Sequence, residues 1–180
     1  MRYSRTTLER AKGNNSRRKL NSPVREKLAR HRFAHGLSED HLDALASCAR
    51  CLLRSPGDYL WRQGQKPEVV YLVSSGQIVL EIQIPNQGSL EVDFFEGGDF
   101  LPWLWLGGEY RRRFDARTTA TAEVIELDGK KLREMCEQDC EFGYQLLKRL
   151  ARATEDRLQT ARFKIMELQG HSTAGGDGSD

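Results

Sequence analysis

The chain has 180 residues, with 28 Lys and Arg against 26 Asp and Glu and a hydrophobic fraction of 38%. These values suit one domain of roughly 100–150 residues with polar tails. No apolar run approaches the ~20 residues that a membrane-spanning helix needs, and the N-terminus lacks the apolar segment of a secretory signal peptide. We therefore expect a cytoplasmic protein with no membrane span.

The first 32 residues are strongly basic. They hold eleven Lys and Arg against Glu9 and Glu26, whereas the rest of the chain has seven more acidic than basic residues. We predict a basic, largely disordered arm over residues 1–32, with a short helix over residues 24–32. Such an arm on an acidic body is typical of contact with a polyanion or an acidic partner, and a solvated tail resting on its own domain is the alternative.

The middle of the chain changes from helical to strand periodicity. Ser38 stands at an N-cap position before a helix that begins with acidic residues. From residue 51 to 127 the hydrophobic period is two, and Glu81 and Gln83 face away from the apolar positions between them. Short strands separated by turns predict a β jelly roll or small barrel. The predicted strands cover residues 52–53, 59–61, 69–73, 77–84, 90–95 and 120–127.

Two helices are predicted after residue 129, a short one over residues 130–137 and a long one from residue 139 or 141. The long helix carries a near-heptad apolar stripe that reaches its far end, which is typical of helix–helix packing. We predict a homodimer through this stripe, with packing onto its own barrel as the alternative. Residues 169–180 are predicted to be a disordered tail. The stripe, called the seam below, comprises Leu147, Leu150, Thr154, Leu158, Ala161, Ile165 and Leu168.

Four cysteines form two closely spaced pairs, Cys48 with Cys51 and Cys136 with Cys140. The spacing is compatible with a zinc or iron–sulfur site or with a redox pair. Both pairs fall on predicted helices, where free cysteine often serves as a small buried hydrophobic residue. We favour core packing and predict no metal and no cofactor, and the four-thiolate site is kept as the alternative.

Three glycine-containing segments carry a family resemblance: PGDYLWRQG at residues 56–64, VVYLVSSG at 69–76 and EGGDF at 96–100. Together with the strand pattern they resemble the cyclic nucleotide-binding domain of catabolite-activator-type regulators and kinase regulatory subunits. The resemblance covers residues 33–168. It implies a mainly β fold, a cyclic nucleotide-binding-like jelly roll with flanking helices and a long C-terminal helix, and that helix would pair with its copy in a second subunit.

The phosphate-binding cassette of that family departs from its pattern here. In the family a short helix after the strand binds the cyclic phosphate, a Glu accepts from the ribose 2′-hydroxyl, and an Arg pairs with the phosphate. The resemblance places Phe100 and Leu101 before this helix and Trp103 at the Glu position. Trp has no hydrogen-bond acceptor, so the 2′-hydroxyl loses its partner and the indole occupies the sugar's place.

The second half of the cassette falls on a run of arginines. Arg112 takes the place of the phosphate-binding Arg, with Arg113 beside it. Asp115 replaces a small hydroxyl residue and puts a negative charge near the expected phosphate. We predict that Asp115 pairs internally with Arg112, Arg113 or Arg117. The pocket is thus predicted to be filled and charge-paired.

The function that these residues favour is non-catalytic. The four histidines lie outside the predicted barrel, and no activated nucleophile with a nearby base can be identified. We predict a sensor or adaptor module that acts in signalling through an unknown protein partner, with lost or altered specificity for a small nucleotide ligand. The alternatives are a cyclic AMP-binding transcriptional regulator, against which we count the expected absence of a helix-turn-helix segment, and a cysteine-based metal or redox sensor.

Overall fold

The computed structural model describes residues 23–101 and 111–173, with side chains described as far as residue 167. Eight strands and four α-helices follow one another in these ranges. The helices are α1 (Pro23–Arg30), α2 (Glu39–Ser47), α3 (Gly129–Gln138) and α4 (Cys140–Thr173). The strands are β1 (Ala49–Arg54), β2 (Tyr59–Trp61), β3 (Val69–Ser75), β4 (Gln77–Ile84), β5 (Gly88–Glu96), β6 (Phe100–Leu101), β7 (Asp115–Thr118) and β8 (Ala122–Asp128).

The strands form two four-stranded antiparallel sheets, in the orders β1-β8-β3-β6 and β2-β7-β4-β5. This is the predicted jelly roll. The strands β6 and β7 were not predicted because β6 has two residues and β7 reads Asp-Ala-Arg-Thr, which has no hydrophobic alternation. Between the sheets lies a core of buried side chains: Leu60, Trp61, Tyr71, Val73, Ile78, Leu80, Phe95, Leu101, Ala116 and Val124.

A second apolar cluster joins the helices to the outer face of the first sheet. Leu28 of α1 is completely buried in it, together with Leu45 of α2 and Phe142 of α4. Residues 23–32 therefore belong to the folded domain, and the predicted arm boundary after residue 32 is too late. The first 22 residues and the tail after residue 173 lie outside the described residues.

Helix α2 begins as its sequence predicts. Ser38 is the N-cap, and its hydroxyl accepts a hydrogen bond from the backbone N–H of His41 at 3.2 Å. An N-cap satisfies one of the backbone donors that a helix leaves unpaired in its first turn. The capped helix presents Leu42, Leu45 and Ala46 to the core.

The outer face of α4 carries exposed apolar side chains. Leu147, Leu158 and Ile165 of the seam are each at least 50% exposed. Leu150 is half-buried and packs against the helical cluster, so this member of the predicted stripe contacts its own domain. Leu168 lies beyond the last described side chain. Apart from Leu150, the described part of the seam is therefore not covered by the protein's own barrel, which was the alternative to a dimer.

His31 is a buried titratable group directly after α1. It is buried, its Nδ1 accepts from the Phe33 N–H at 3.2 Å, and its Nε2 donates to the Val73 carbonyl at 3.1 Å. Burial is the largest cause that lowers the pKa of His31 below its ordinary value of 6.5. The unfolded chain thus binds the proton more readily, so this contribution to stability is complete above a pH of about 6.5 and is lost as pH falls through the folded pKa.

We expect the free energy of unfolding to fall more steeply between pH 7 and pH 5 in the wild type than in His31→Gln, because glutamine does not titrate. Urea denaturation at a series of pH values measures both slopes. The titration of carboxylates changes the free energy of unfolding equally in both proteins, so it does not affect the comparison. Identical slopes would contradict a buried neutral imidazole.

The turn between β3 and β4 requires glycine. Gly76 has φ of 84°, and a Cβ there would lie 2.3 Å from the Thr121 carbonyl oxygen. We expect Gly76→Ala to lower the free energy of unfolding by about 3 kcal/mol or more, since both the backbone conformation and the contact are violated. Gly57 is the matched control: its φ is 90° but nothing lies within 4 Å of the added Cβ, so only about 1–2 kcal/mol is expected. Equal losses by chemical denaturation would show that the contact with Thr121 does not matter.

Candidate functional site

Arg112 lies in a cavity of about 480 Å³ at one end of the barrel. The chain holds it through its backbone, because its N–H donates to the Gln65 carbonyl at 2.9 Å and its own carbonyl accepts from the Gly64 N–H at 2.8 Å. Both partners belong to the turn between β2 and β3. Residues 111–114 are thereby fixed against this turn before β7 begins.

The Arg112 side chain turns inward. It is only 4% exposed, its guanidinium carbon lies 3.8 Å from the centroid of the Trp61 ring, and Nη2 donates to the Val69 carbonyl at 2.7 Å. A guanidinium over the face of an indole is stabilised by the negative potential of the ring. Tyr71 completes the wall, 5.9 Å from the same carbon.

The aromatic wall is itself fixed by hydrogen bonds. The indole Nε1 of Trp61 donates to the Phe114 carbonyl at 2.9 Å, and the Tyr71 hydroxyl donates to the Leu60 carbonyl at 3.2 Å. Burial raises the pKa of Tyr71 to about 12, so the phenol stays neutral beside Arg112. The arrangement places the Arg112 cation against an aromatic wall.

Asp115 is buried and pairs internally, but with a different partner from those predicted. Its Oδ2 accepts from Arg62 Nη1 at 2.9 Å, and its Oδ1 accepts from the Gln63 backbone N–H at 2.6 Å. Hydrogen bonding to Asp115 is the largest cause that raises the pKa of Arg62. The partner that the structure shows is Arg62, because β2 and β7 are neighbours and bring it to the carboxylate, and Arg117, one of the predicted partners, pairs with Glu81 instead.

A second carboxylate on the same sheet is fully engaged as well. Glu81 is 1% exposed and accepts from Arg117 Nη2 at 2.7 Å, from Arg117 Nε at 3.1 Å and from the Tyr59 hydroxyl at 3.0 Å. The Arg117 hydrogen bonds are the largest cause that lowers the pKa of Glu81, so the carboxylate is ionised at neutral pH. The sequence analysis placed Glu81 on the face opposite the apolar positions, and the structure shows that this side chain is nevertheless buried.

The structure brings only part of the predicted site together. Phe100 and Leu101 form β6 and are buried in the two cores, so they support the site from behind. Arg113 is exposed. Trp103 and its role at the sugar position lie outside the described residues. Trp61, Tyr71 and Arg62 were missed, and the aromatic-rich segment Tyr59-Leu60-Trp61-Arg62 was the signal that could have indicated them.

The cysteines behave as packing residues where they are buried. Cys48 lies in the helical cluster, and its Sγ donates to the Leu45 carbonyl at 3.2 Å. Burial raises the pKa of the Cys48 thiol to about 11, which disfavours the thiolate that a metal needs. All four cysteines are free thiols. Within residues 23–101 and 111–167, no group of three or more His, Cys, Asp or Glu side chains is placed to hold a metal.

Comparison with known proteins finds a matching family model and similar regulators. The family model of the cyclic nucleotide-binding domain matches residues 54–139. The cAMP-activated global transcriptional regulator CRP of Salmonella typhimurium is 27% identical over 110 residues, which are 61% of this chain and 50% of the relative. The chain thus spans about half the length of the curated relatives that it matches.

Solved structures show the same fold. A cyclic nucleotide-binding domain from Methylobacillus flagellatus superposes with a TM-score of 0.67 at 16% identity, covering 81% of this chain and 82% of that one. The sensor domain of the transcriptional regulator DNR from Pseudomonas aeruginosa gives a TM-score of 0.60 at 15% identity, covering 75% and 91%. In the described residues no helix is long and apolar enough to cross a membrane.

Proposed function

We propose, on the premise that residues 54–139 form a cyclic nucleotide-binding domain, that the chain is a non-catalytic sensor or adaptor module whose response to cyclic nucleotides is lost or altered. The observation that carries the proposal is the engagement of Arg112. Its guanidinium stacks on Trp61 and donates to the Val69 carbonyl, whereas the family resemblance gives this position to a phosphate-binding Arg.

A cyclic phosphate would have to compete for that arginine. Pairing with the phosphate would give up the stacking on Trp61 or the hydrogen bond to Val69, each worth about 1 kcal/mol or more in a buried setting. Asp115, three residues further along the chain, is paired with Arg62, so this second arginine is also engaged by a carboxylate. These costs reduce affinity for any ligand that carries a single phosphate. The blocking role of Trp103 stays a prediction.

We propose that the module transmits its signal by contacting other proteins. We propose a homodimer through the exposed part of the seam and an interaction with a partner protein in the cytoplasm. The apolar groove at the start of the seam supports the dimer, because its lining by Cys136, Cys140, Tyr144 and Leu147 continues the same apolar face. The contact of the basic arm with a polyanion stays a prediction.

A thermal-shift screen of cyclic mono- and dinucleotides tests this function. If cyclic AMP binds no tighter than about 1 mM, a concentration of about 0.1 mM adds less than ~0.1 kcal/mol and leaves the melting temperature unchanged. A micromolar ligand at the same concentration adds about 2.7 kcal/mol and raises it by several degrees. A rise with another cyclic nucleotide identifies an altered specificity, and a clear rise with cyclic AMP contradicts the proposal.

The second candidate function is a cyclic AMP-responsive transcriptional regulator, and the 27% identical relative, a cAMP-activated global transcriptional regulator, favours it. It requires tight cyclic AMP binding and salt-dependent retention of DNA. A cysteine-based metal sensor is the third candidate and is tested by the zinc and iron content of the purified protein. Its buried Cys48 thiol, with a raised pKa, disfavours it.

A further inference from the structure

A groove of about 660 Å³ runs between α4 and the turn that follows α1. One wall is α4 from Gln145 to Thr160, and the other is formed by residues 32–36 and the turn before β6. The stacked rings of Phe33 and Phe100, with centroids 4.9 Å apart, lie among the lining residues. The volume is that of a site for a small organic ligand.

The lining of this groove is strongly basic. Its charged residues are five cations and two carboxylates, an excess of three positive charges: Arg32, Lys148, Arg149, Arg152, Arg157, Asp99 and Asp156. Asp99 is already shared, because its carboxylate accepts from Arg32 and, at 3.0 Å, from Arg157 Nη2. The pair with Arg157 joins the two walls of the groove, whereas the pair with Arg32 lies within one wall.

Three cations of α4 stay uncompensated. Among the residues that the structure describes, the ion pairs of this groove join Asp99 to Arg32 and Arg157, and none involves Lys148, Arg149 or Arg152. Such a concentration of like charge on one helix face is destabilising by itself. It is the arrangement expected where a bound anion supplies the missing negative charge.

Arg149 stands out because it is partly buried. Its Nη1 donates to the Gln145 carbonyl at 2.8 Å and its Nη2 to the His35 carbonyl at 2.8 Å, so only neutral oxygens receive it. The buried Nε has no hydrogen-bond partner. Burial, followed by the neighbouring Arg152, lowers the pKa of Arg149. A cation held in this way gains from an anion close by.

We propose that this basic groove binds a compact polyphosphate, a ligand with at least two negative charges on adjoining phosphates, as in a nucleoside triphosphate or an inorganic phosphate chain. The excess of three positive charges favours such a ligand over the single charge of a cyclic mononucleotide. Lys148 and Arg152 provide the exposed donors, and Arg149 provides the charge at the back of the groove.

The site is independent of the Arg112 cavity and of the seam. Arg112 lies in a different cavity, lined from β2, β3 and the turn between them. Arg149 and Leu158 are two and a half turns apart on α4, so they point to opposite sides of the helix. A dimer through the seam leaves the groove open. The proposal therefore stands whether or not cyclic AMP binds.

Calorimetric titration of the full chain with tripolyphosphate, ATP and cyclic AMP tests the site. We expect tripolyphosphate and ATP to bind at least tenfold tighter than cyclic AMP, with an affinity that falls as salt is added. Equal affinities for ATP and tripolyphosphate indicate that the phosphates alone are recognised, and tighter binding of ATP indicates that the nucleoside contributes. Absence of binding by both overturns the proposal.

The double variant Lys148→Gln/Arg152→Gln separates this groove from the basic arm. It retains the contacts of Arg149 with His35 and Gln145, so we expect a normal melting temperature and at least a tenfold loss of tripolyphosphate affinity. The matched control is Arg30→Gln/Lys130→Gln, which removes two exposed cations elsewhere and should bind as the wild type does. Equal losses in both variants, or no loss in the first, would assign binding to general charge and overturn the proposal.

Discussion

Replacing Arg117 by methionine is expected to destabilise the domain by about 3 kcal/mol, because it leaves the buried Glu81 carboxylate without its main partner. The Arg117 side chain is 26% exposed, so water can relieve part of the penalty, and the estimate stands at the low end for a buried pair. Equilibrium denaturation in urea at pH 7 measures the loss. The pair contributes above the ordinary glutamate pKa of 4.5, and its contribution is lost as pH falls through the lowered pKa of Glu81.

Two further variants decide whether the buried charge is the cause. Glu81→Gln added to Arg117→Met removes the unpaired carboxylate and should recover part of the stability. Lys130→Met breaks an exposed pair with Glu134, at 4.0 Å, and should cost less than about 0.5 kcal/mol. A loss in Arg117→Met as small as that in Lys130→Met would show that Glu81 is not held by this pair.

Charge placed in the seam is expected to separate the proposed dimer. Leu158 and Ile165 are 50% and 55% exposed, and carboxylates in their place would be desolvated at a helix–helix interface. We expect the wild type to sediment as a dimer at micromolar concentration and Leu158→Asp/Ile165→Asp to sediment as a folded monomer.

The control for this experiment adds the same two carboxylates on another face of α4. Gln159→Asp/Thr160→Asp changes exposed positions off the seam and should remain dimeric. Circular dichroism confirms that each variant is folded. A wild type that is monomeric at micromolar concentration, or equal dissociation of both variants, would refute a dimer through the seam.

The barrel could be predicted because its strands and turns carry local signals. Alternation and glycine turns indicated six of the strands, and the Ser38 cap indicated the start of α2. Strand β7 was beyond such reasoning, since its polar sequence is held by its two neighbours β2 and β4 rather than by its own pattern. Leu28 could not be assigned to the core from sequence either. Its packing in the helical cluster shows that the basic segment around it is folded.

The charged part of the site was less predictable than the apolar part. Glu81 is buried because Tyr59 and Arg117, from neighbouring strands, cover its carboxylate, and alternation along β4 alone does not indicate this cover. Its carboxylate and that of Asp115 take their partners from strands far away in sequence. Which arginine meets which carboxylate is therefore set by strand order, and a single sequence contains no signal for it.

Restoring the family's residues in the cassette should increase the affinity for cyclic AMP. Trp103→Glu/Asp115→Thr introduces the family's residues and removes a fixed negative charge, so we expect it to bind cyclic AMP more tightly than the wild type does. Loss of the Asp115 contacts with Arg62 and Gln63 will reduce stability, and folding is checked by its melting curve. Unchanged affinity in a folded variant would contradict our interpretation of the cassette.

The most direct test of the altered sensor is a calorimetric titration of cyclic AMP into the wild-type chain at neutral pH. With Arg112 held by Trp61 and Val69, we expect a dissociation constant no tighter than about 1 mM, the level of weak contact. A micromolar constant that is lost in Arg112→Met would show that the arginine leaves its niche to bind the phosphate. The protein would then be an ordinary receptor for cyclic AMP.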